Sequence, residues 1–163
     1  MDYKVVHIHP SSHAGYYPGA APLALKLIFS PGNGQILGAQ AVGARGADKR
    51  IDVLATAIKG GLTIYDLPDL ELAYAPPFSS AKDPVNMLGY VAQNMQDGSL
   101  ETFQWHEVEK LQGSGAFLLD VREEKEWEAG HIEGAVHFPL DTLRDNLKEL
   151  PSSETIYIYC QAG

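Results

Sequence analysis

At 163 residues, with 45% hydrophobic and 20% charged side chains, the chain has the composition of a globular protein of one domain or two small ones. Its single cysteine excludes an internal disulfide framework, and no apolar run approaches the roughly 18 residues of a membrane span. The net charge of -9 argues against nucleic acid or an anionic membrane as partner, and the start "MDYKVVHIHP" lacks a signal-peptide core, so a cytoplasmic setting is expected.

The charge is uneven. Residues 1–98 carry seven Lys and Arg against eight Asp and Glu, a balance of -1, whereas residues 99–163 carry five against thirteen, a balance of -8. This asymmetry predicts two units joined near the polar stretch "QDGSLET" (96–102).

In chain order, "KVVHIH" (4–9) and "LALKLIFS" (23–30) read as strands. The second meets "ILGAQAVG" (36–43) across "PGNGQ", where Asn33-Gly34 is a hairpin signal because both residues tolerate positive φ. "ADKRIDVLATAIKGG" sets Ile51, Leu54, Ala55 and Ile58 at helical spacing and stops at Gly60-Gly61. The prolines of "YAPPFSSAKDP" (74–84) predict a loop, after which Asp83 as N-cap and Pro84 as first helical residue open a helix through about Met95. Strands clustered before helices indicate an α+β layer with an antiparallel sheet. "GARGADKR" lacks the Lys-Ser/Thr pair of a phosphate loop and reads as a turn into a helix. His7, His9 and His13 lack a fourth ligand at metal spacing and read as ordinary hydrogen-bonding histidines.

The strings "HAGYYPGA", "GAQAVGARGADKRIDVLATAIKGGLTIYDL" and "ELAYAPPFSSAKDPVN" resemble the dimerisation domain of flavin-dependent pyridine nucleotide-disulfide oxidoreductases, in the branch of coenzyme A disulfide reductases and NADH oxidases. The resemblance implies a domain over residues 1–97 that forms a homodimer. It also implies that Tyr16 and Tyr74 reach a partner's active site, near the redox cysteine and the thiol or disulfide substrate. A phenol there could donate a hydrogen bond or proton to a departing thiolate. Read without the resemblance, Tyr16, Tyr17 and Tyr74 are interface or core aromatics.

From Phe103 the pattern changes. "FQWHEVEKLQG" predicts a short helix, "AFLLDV" (116–121) a buried strand, "REEKEWEAGHI" a charged helix ending at Gly130, and "GAVHFP" another strand. "LDTLRDNLKEL" places Leu140, Leu143, Leu147 and Leu150 on one apolar helix stripe, and "TIYIYC" is the last strand. Strands alternating with helices predict a parallel α/β layer.

"LLDVREEKEWEAGHIEGAVHFPLDTL", followed by a strand ending in Cys160, resembles a rhodanese-like domain, here residues 98–163 and partial. The resemblance implies that Cys160 carries sulfane sulfur as a persulfide, with Gln161, Ala162 and Gly163 beginning the backbone cradle around it. In the family that loop continues, so the chain reads as part of a longer fusion protein and is expected to be inactive by itself. Asp120 and Arg122 read as fixing a strand end, His131 and His137 as structural, and Glu123, Glu124, Glu126 and Glu128 as a solvated helix face.

Taken together, the two resemblances imply part of an FAD- and NAD(P)H-dependent reductase of coenzyme A disulfide or persulfide. Its small-molecule partners would be thiols, disulfides or persulfides, and no complete cofactor site is expected in these residues. The alternatives are a non-catalytic dimerisation and docking module, or an independent sulfurtransferase.

Overall fold

The computed structural model describes residues 2–161, which separate into two compact units divided between Glu101 and Thr102. In the first unit, strands β1 (Lys4–Ile8), β2 (Leu23–Phe29) and β3 (Ile36–Gly43) form an antiparallel sheet in the order β1-β2-β3. The alternation of β2 sets its two faces. Leu23, Leu25, Leu27 and Phe29 are buried, while Ala24, Lys26 and Ile28 between them are only partly so. Helices α1 (Ala47–Gly60) and α2 (Pro84–Asp97) cover the buried face, bringing Leu54, Ala57, Leu88 and Ala92 against Val6, Leu25, Leu27 and Phe29. Each large side chain so buried contributes about 1.5–3 kcal/mol.

Two local expectations for this unit change. The β2–β3 hairpin forms, but Gly34 (φ 71°) is its left-handed residue and Asn33 is not. Asn33 instead accepts the backbone N–H of Gln35 through its side chain at 3.1 Å, and Gly34 N–H reaches back to Ser30 O at 2.9 Å. The four residues between Ser30 and Gln35 leave room for this wider loop, so a two-residue mirror-image turn is not needed. On α1, Ala55 is exposed, and the inward positions are Arg50, Leu54 and Ala57. The helix face is therefore rotated from the apolar stripe because a charged residue, Arg50, belongs to it.

α2 begins as expected. The Asp83 carboxylate accepts the Val85 N–H at 3.0 Å, and the Asn86 side chain accepts the Asp83 N–H at 3.0 Å. Midway along, buried Gly89 lets the helix lie against the 3-10 turn Leu67–Asp69, where an added Cβ would sit 2.6 Å from Pro68 Cδ and 2.8 Å from Leu67 Cβ. The proline ring cannot rotate away. Gly89→Ala is therefore expected to destabilise the unit by about 1–2 kcal/mol, overpacking outweighing the gain in helix propensity. Chemical denaturation checks this, and an unchanged midpoint would contradict the close approach.

In the second unit, β4 (Phe117–Asp120) lies between β5 (Val136–His137) and β6 (Ile156–Tyr159), and both pairings are parallel. Helices α3 (Val108–Gly113), α4 (Glu124–Ala129) and α5 (Leu140–Asn146) connect and flank the strands. The register sets Asp120 beside both His137 and Tyr159, so all three strands end at one edge. The leucine stripe does not hold as expected, since Leu140 and Leu147 are exposed. α5 gives way to a 3-10 turn at Leu147–Glu149, and the change from 3.6 to 3.0 residues per turn takes Leu147 off the line of Leu143. Among the described residues, no helix is long and apolar enough to cross a membrane.

Candidate functional site

The loop between β1 and β2 has its ends pinned. Ser12 N–H donates to Ala21 O at 2.8 Å, Leu23 N–H to Pro10 O at 2.8 Å, and the Ser12 hydroxyl accepts the Ala21 N–H at 3.0 Å. Buried His13 braces the interior, with Nδ1 3.1 Å from Ser12 Oγ and Nε2 3.4 Å from Pro18 O, and Tyr17 packs edge-on against its ring. Tyr16 is left projecting at 77% exposure. Tyr74, 50% exposed, comes from the proline-rich loop before α2, and Ala14 N–H donates to Ser79 O of that loop at 3.2 Å.

The structure brings the two expected tyrosines together: their hydroxyl oxygens lie 3.2 Å apart, although 58 residues separate them in sequence. Of two paired phenols, one donates inward to its partner and the other keeps its proton for a third group. The hydrogen bond to Tyr74, with a smaller effect of desolvation, raises the ionisation of Tyr16 above the ordinary phenol range. Tyr16 therefore stays protonated, and a donor, at neutral pH.

Beneath the pair lies a node that the sequence reading did not find. Arg50, 1% exposed, donates through Nη2 to Asp83 Oδ2 at 2.9 Å, through Nε to Oδ1 at 3.3 Å and through Nη1 to Gly46 O at 3.2 Å. The Ser79 hydroxyl donates to Asp83 Oδ2 at 2.6 Å, and Lys49 Nζ lies 3.4 Å from the same oxygen. Burial opposes ionisation of Asp83, but the bonds from Ser79, the Val85 N–H and Arg50 hold its carboxyl below the ordinary range. The overlooked signal was positional: Arg50 stands four and seven residues before Leu54 and Ala57, on their face of the helix.

In the second unit, Cys160 follows the last residue of β6 and is half-buried. Val121 N–H donates to Tyr159 O at 3.2 Å, extending the β4–β6 ladder to the residue before the thiol. Asp120 is fully buried, and Arg122 grips it through Nη2 at 2.7 Å and Nε at 3.0 Å, and also donates to Gly130 O at 2.8 Å. Burial opposes it, but these bonds hold the Asp120 carboxyl below its ordinary range. The Tyr159 hydroxyl accepts the Ile132 N–H at 3.2 Å, and the Arg122 guanidinium lies over its ring at 5.6 Å. Burial, partly offset by the Ile132 bond, pushes the pKa of this phenol up.

Trp127 completes the wall between two imidazoles. His131 stacks at 3.5 Å and His137 at 4.6 Å between ring centres, both nearly parallel to the indole. His137 Nε2–H donates to Arg122 O at 2.9 Å, and His131 Nδ1–H to Trp127 O at 3.1 Å. His137 Nδ1 also lies 3.7 Å from Glu124 Oε2. Glu126 is not simply solvated, because it accepts the Glu123 N–H at 3.0 Å and caps α4. Of the expected cradle, Gln161 is exposed, whereas Ala162 and Gly163 lie outside the described residues.

Among the described residues no group of three or more His, Cys, Asp and Glu side chains could hold a metal ion. At the glycine-rich turn before α1 the Arg50 guanidinium packs against Gly46. Gly46 is left-handed at φ 73°, and an added Cβ there would clash with the Arg50 guanidinium, which occupies the helix entrance.

Comparison with known proteins separates the same two stretches. Residues 1–84 match the pyridine nucleotide-disulphide oxidoreductase dimerisation domain. The chain belongs to that family. Residues 104–163 match the rhodanese-like domain. Over 93 residues, 57% of this chain, it is 52% identical to a coenzyme A disulfide reductase of Staphylococcus aureus strain NCTC 8325 / PS 47, of which it spans 21%. The crystal structure of reduced Bacillus anthracis CoADR-RHD superposes on 99% of the chain with a TM-score of 0.94 at 56% identity. A NAD-dependent persulfide reductase from A. fulgidus covers 98% with a TM-score of 0.88 at 41% identity. The chain spans 29% and 28% of these two structures. The α+β layer followed by a partial rhodanese-like α/β layer is thus the fold of this family member and of both solved relatives.

Proposed function

We propose that this chain supplies the dimerisation and sulfur-relay portion of a cytoplasmic, FAD- and NAD(P)H-dependent reductase of coenzyme A disulfide or persulfide. The observation that carries the proposal is the Tyr16–Tyr74 phenol pair at 3.2 Å. Packing aromatics bury their rings, whereas these rings are 77% and 50% exposed and their hydroxyls are paired in the open.

The reaction needs an acid where a sulfur–sulfur bond breaks. An attacking thiolate forms one S–S bond, and the departing sulfur leaves with the electron pair of the broken one. Tyr16 and Tyr74 donate a hydrogen bond or proton to that thiolate across a homodimer formed through residues 1–97, a role supported by the pairing of their exposed hydroxyls. In such a reductase FAD and NAD(P)H supply two electrons, and coenzyme A is the thiol carrier. Cys160, at the C-terminal edge of a parallel sheet, is the nucleophile of the relay. Its thiolate attacks a sulfane sulfur, the donor's thiolate leaves, and the resulting persulfide passes its outer sulfur to an acceptor thiol.

The test removes two oxygen atoms. In the flavoenzyme carrying both units, the double variant Tyr16→Phe/Tyr74→Phe should lose turnover on the order of 10²-fold while its flavin content and folding are retained. Unchanged reduction of disulfide and persulfide would return both residues to packing.

A further inference from the structure

Two phenols on separate loops stay 3.2 Å apart only if something holds both loops in place. The stretch before Tyr74 has no regular structure of its own, residues 71–75 lying in neither helix nor strand nor turn. Lys49 Nζ, on the first turn of α1, donates to Ala73 O at 3.3 Å and lies 3.4 Å from Asp83 Oδ2. Asp83 also accepts the Ser79 hydroxyl at 2.6 Å, and the Ser79 carbonyl accepts the N–H of Ala14, two residues before Tyr16, at 3.2 Å.

We propose that Lys49 is a positioning residue for the Tyr16–Tyr74 pair: its ammonium ties the residue before Tyr74 to the buried Asp83 carboxylate, which through Ser79 also anchors the loop carrying Tyr16. The proposal rests on the reading of the two phenols as the acid of the reductase. Fold stability does not require this lysine, because Arg50 and Ser79 already satisfy Asp83 and the Lys49 side chain is one-third exposed, at 34%. Its contribution is therefore to where Tyr74 stands, and a shift of a fraction of an ångström there separates the two hydroxyls.

Lys49→Met keeps the length of the side chain and removes the ammonium, and Lys49→Arg restores a cation. In this chain labelled with tyrosine ¹³Cζ, the Tyr16 resonance, assigned with Tyr16→Phe, should titrate above the ordinary phenol range while its hydroxyl is paired with that of Tyr74 at 3.2 Å. In Lys49→Met that ionisation should fall back toward the ordinary range, and in Lys49→Arg it should rise again. In the flavoenzyme, Lys49→Met should lower kcat about tenfold with KM within about twofold, and Lys49→Arg should recover most of the loss. Melting temperature and far-ultraviolet circular dichroism should not change. An unaltered Tyr16 titration in Lys49→Met overturns the proposal whatever happens to turnover, and so does a loss of turnover that simply follows a loss of stability. If the titration moves as expected but the double phenylalanine variant turns over normally, the positioning stands and the acid role of the pair falls.

Discussion

Asp83→Ala is expected to destabilise the first unit by about 3–5 kcal/mol, a large part of the 5–15 kcal/mol that holds a typical domain together. The loss has one dominant cause. Arg50 is 1% exposed and keeps its charge, so removing the carboxylate leaves a buried guanidinium with only neutral partners, Gly46 O and Ser79 Oγ. Losing the cap on Val85 N–H adds about 1 kcal/mol, not fully additive because the same oxygen serves both roles. The two tryptophans, Trp105 and Trp127, lie in the second unit, so their fluorescence is an internal control while residue-resolved hydrogen exchange reports on the first. Exchange should quicken across α1 and α2 and leave the tryptophan transition unmoved. The pH dependence has a definite sign. Because the folded carboxyl of Asp83 titrates below its unfolded value, its stabilisation is fully present above the ordinary carboxylate range and is lost as pH falls through the depressed folded value. The difference between Asp83→Ala and the parent should therefore shrink in acid. A difference that stays constant through that range would remove the charge from the explanation.

Cys160→Ala is expected to abolish sulfur relay through the rhodanese-like unit, by more than about 10²-fold, because it removes the one thiol of these two units. The Asp120–Arg122 fork, the Tyr159 hydroxyl on Ile132 N–H and the Trp127 stack position the strand end that carries Cys160. The tryptophan transition of the variant, measured alongside, separates a loss of sulfur relay from a loss of fold. In the flavoenzyme, this variant should still reduce coenzyme A disulfide, whose acid is the tyrosine pair, while losing turnover fed by a sulfane donor. Equal retention of both activities would mean that Cys160 carries no sulfur.

Most of the fold was legible in the sequence. β3 spans residues 36–43 as its apolar run predicts, and α2 starts at Pro84 behind Asp83 because capping chemistry is local. The resemblance sent Tyr16 and Tyr74 to one active site, but their pairing was not legible, since a contact across 58 residues has no periodicity; the structure supplies it. What stayed hidden depends on partners distant in the chain. Arg50 is charged, so a hydrophobic pattern skips it; its place on the Leu54–Ala57 face can be read from spacing, but its partners Asp83 and Ser79, 33 and 29 residues away, cannot. The stack of His137 on Trp127 joins a strand to a helix and is likewise invisible to periodicity, whereas His131 is a local neighbour four residues on. The leucines of α5 misled in the opposite direction: a helical stripe marks one face of a helix but does not show that anything covers it, and Leu140 is 68% exposed.

The central claim is that Cys160 and the phenol pair serve one reductase. The most direct test is peptide mass spectrometry of the flavoenzyme carrying both units, first after exposure to glutathione persulfide and then after addition of NADH. The account predicts one added sulfur on the peptide containing Cys160, and its loss on reduction with release of sulfide, slowed in Tyr16→Phe/Tyr74→Phe. Persulfide turnover that proceeds at full rate with no sulfur ever found on Cys160 would contradict it.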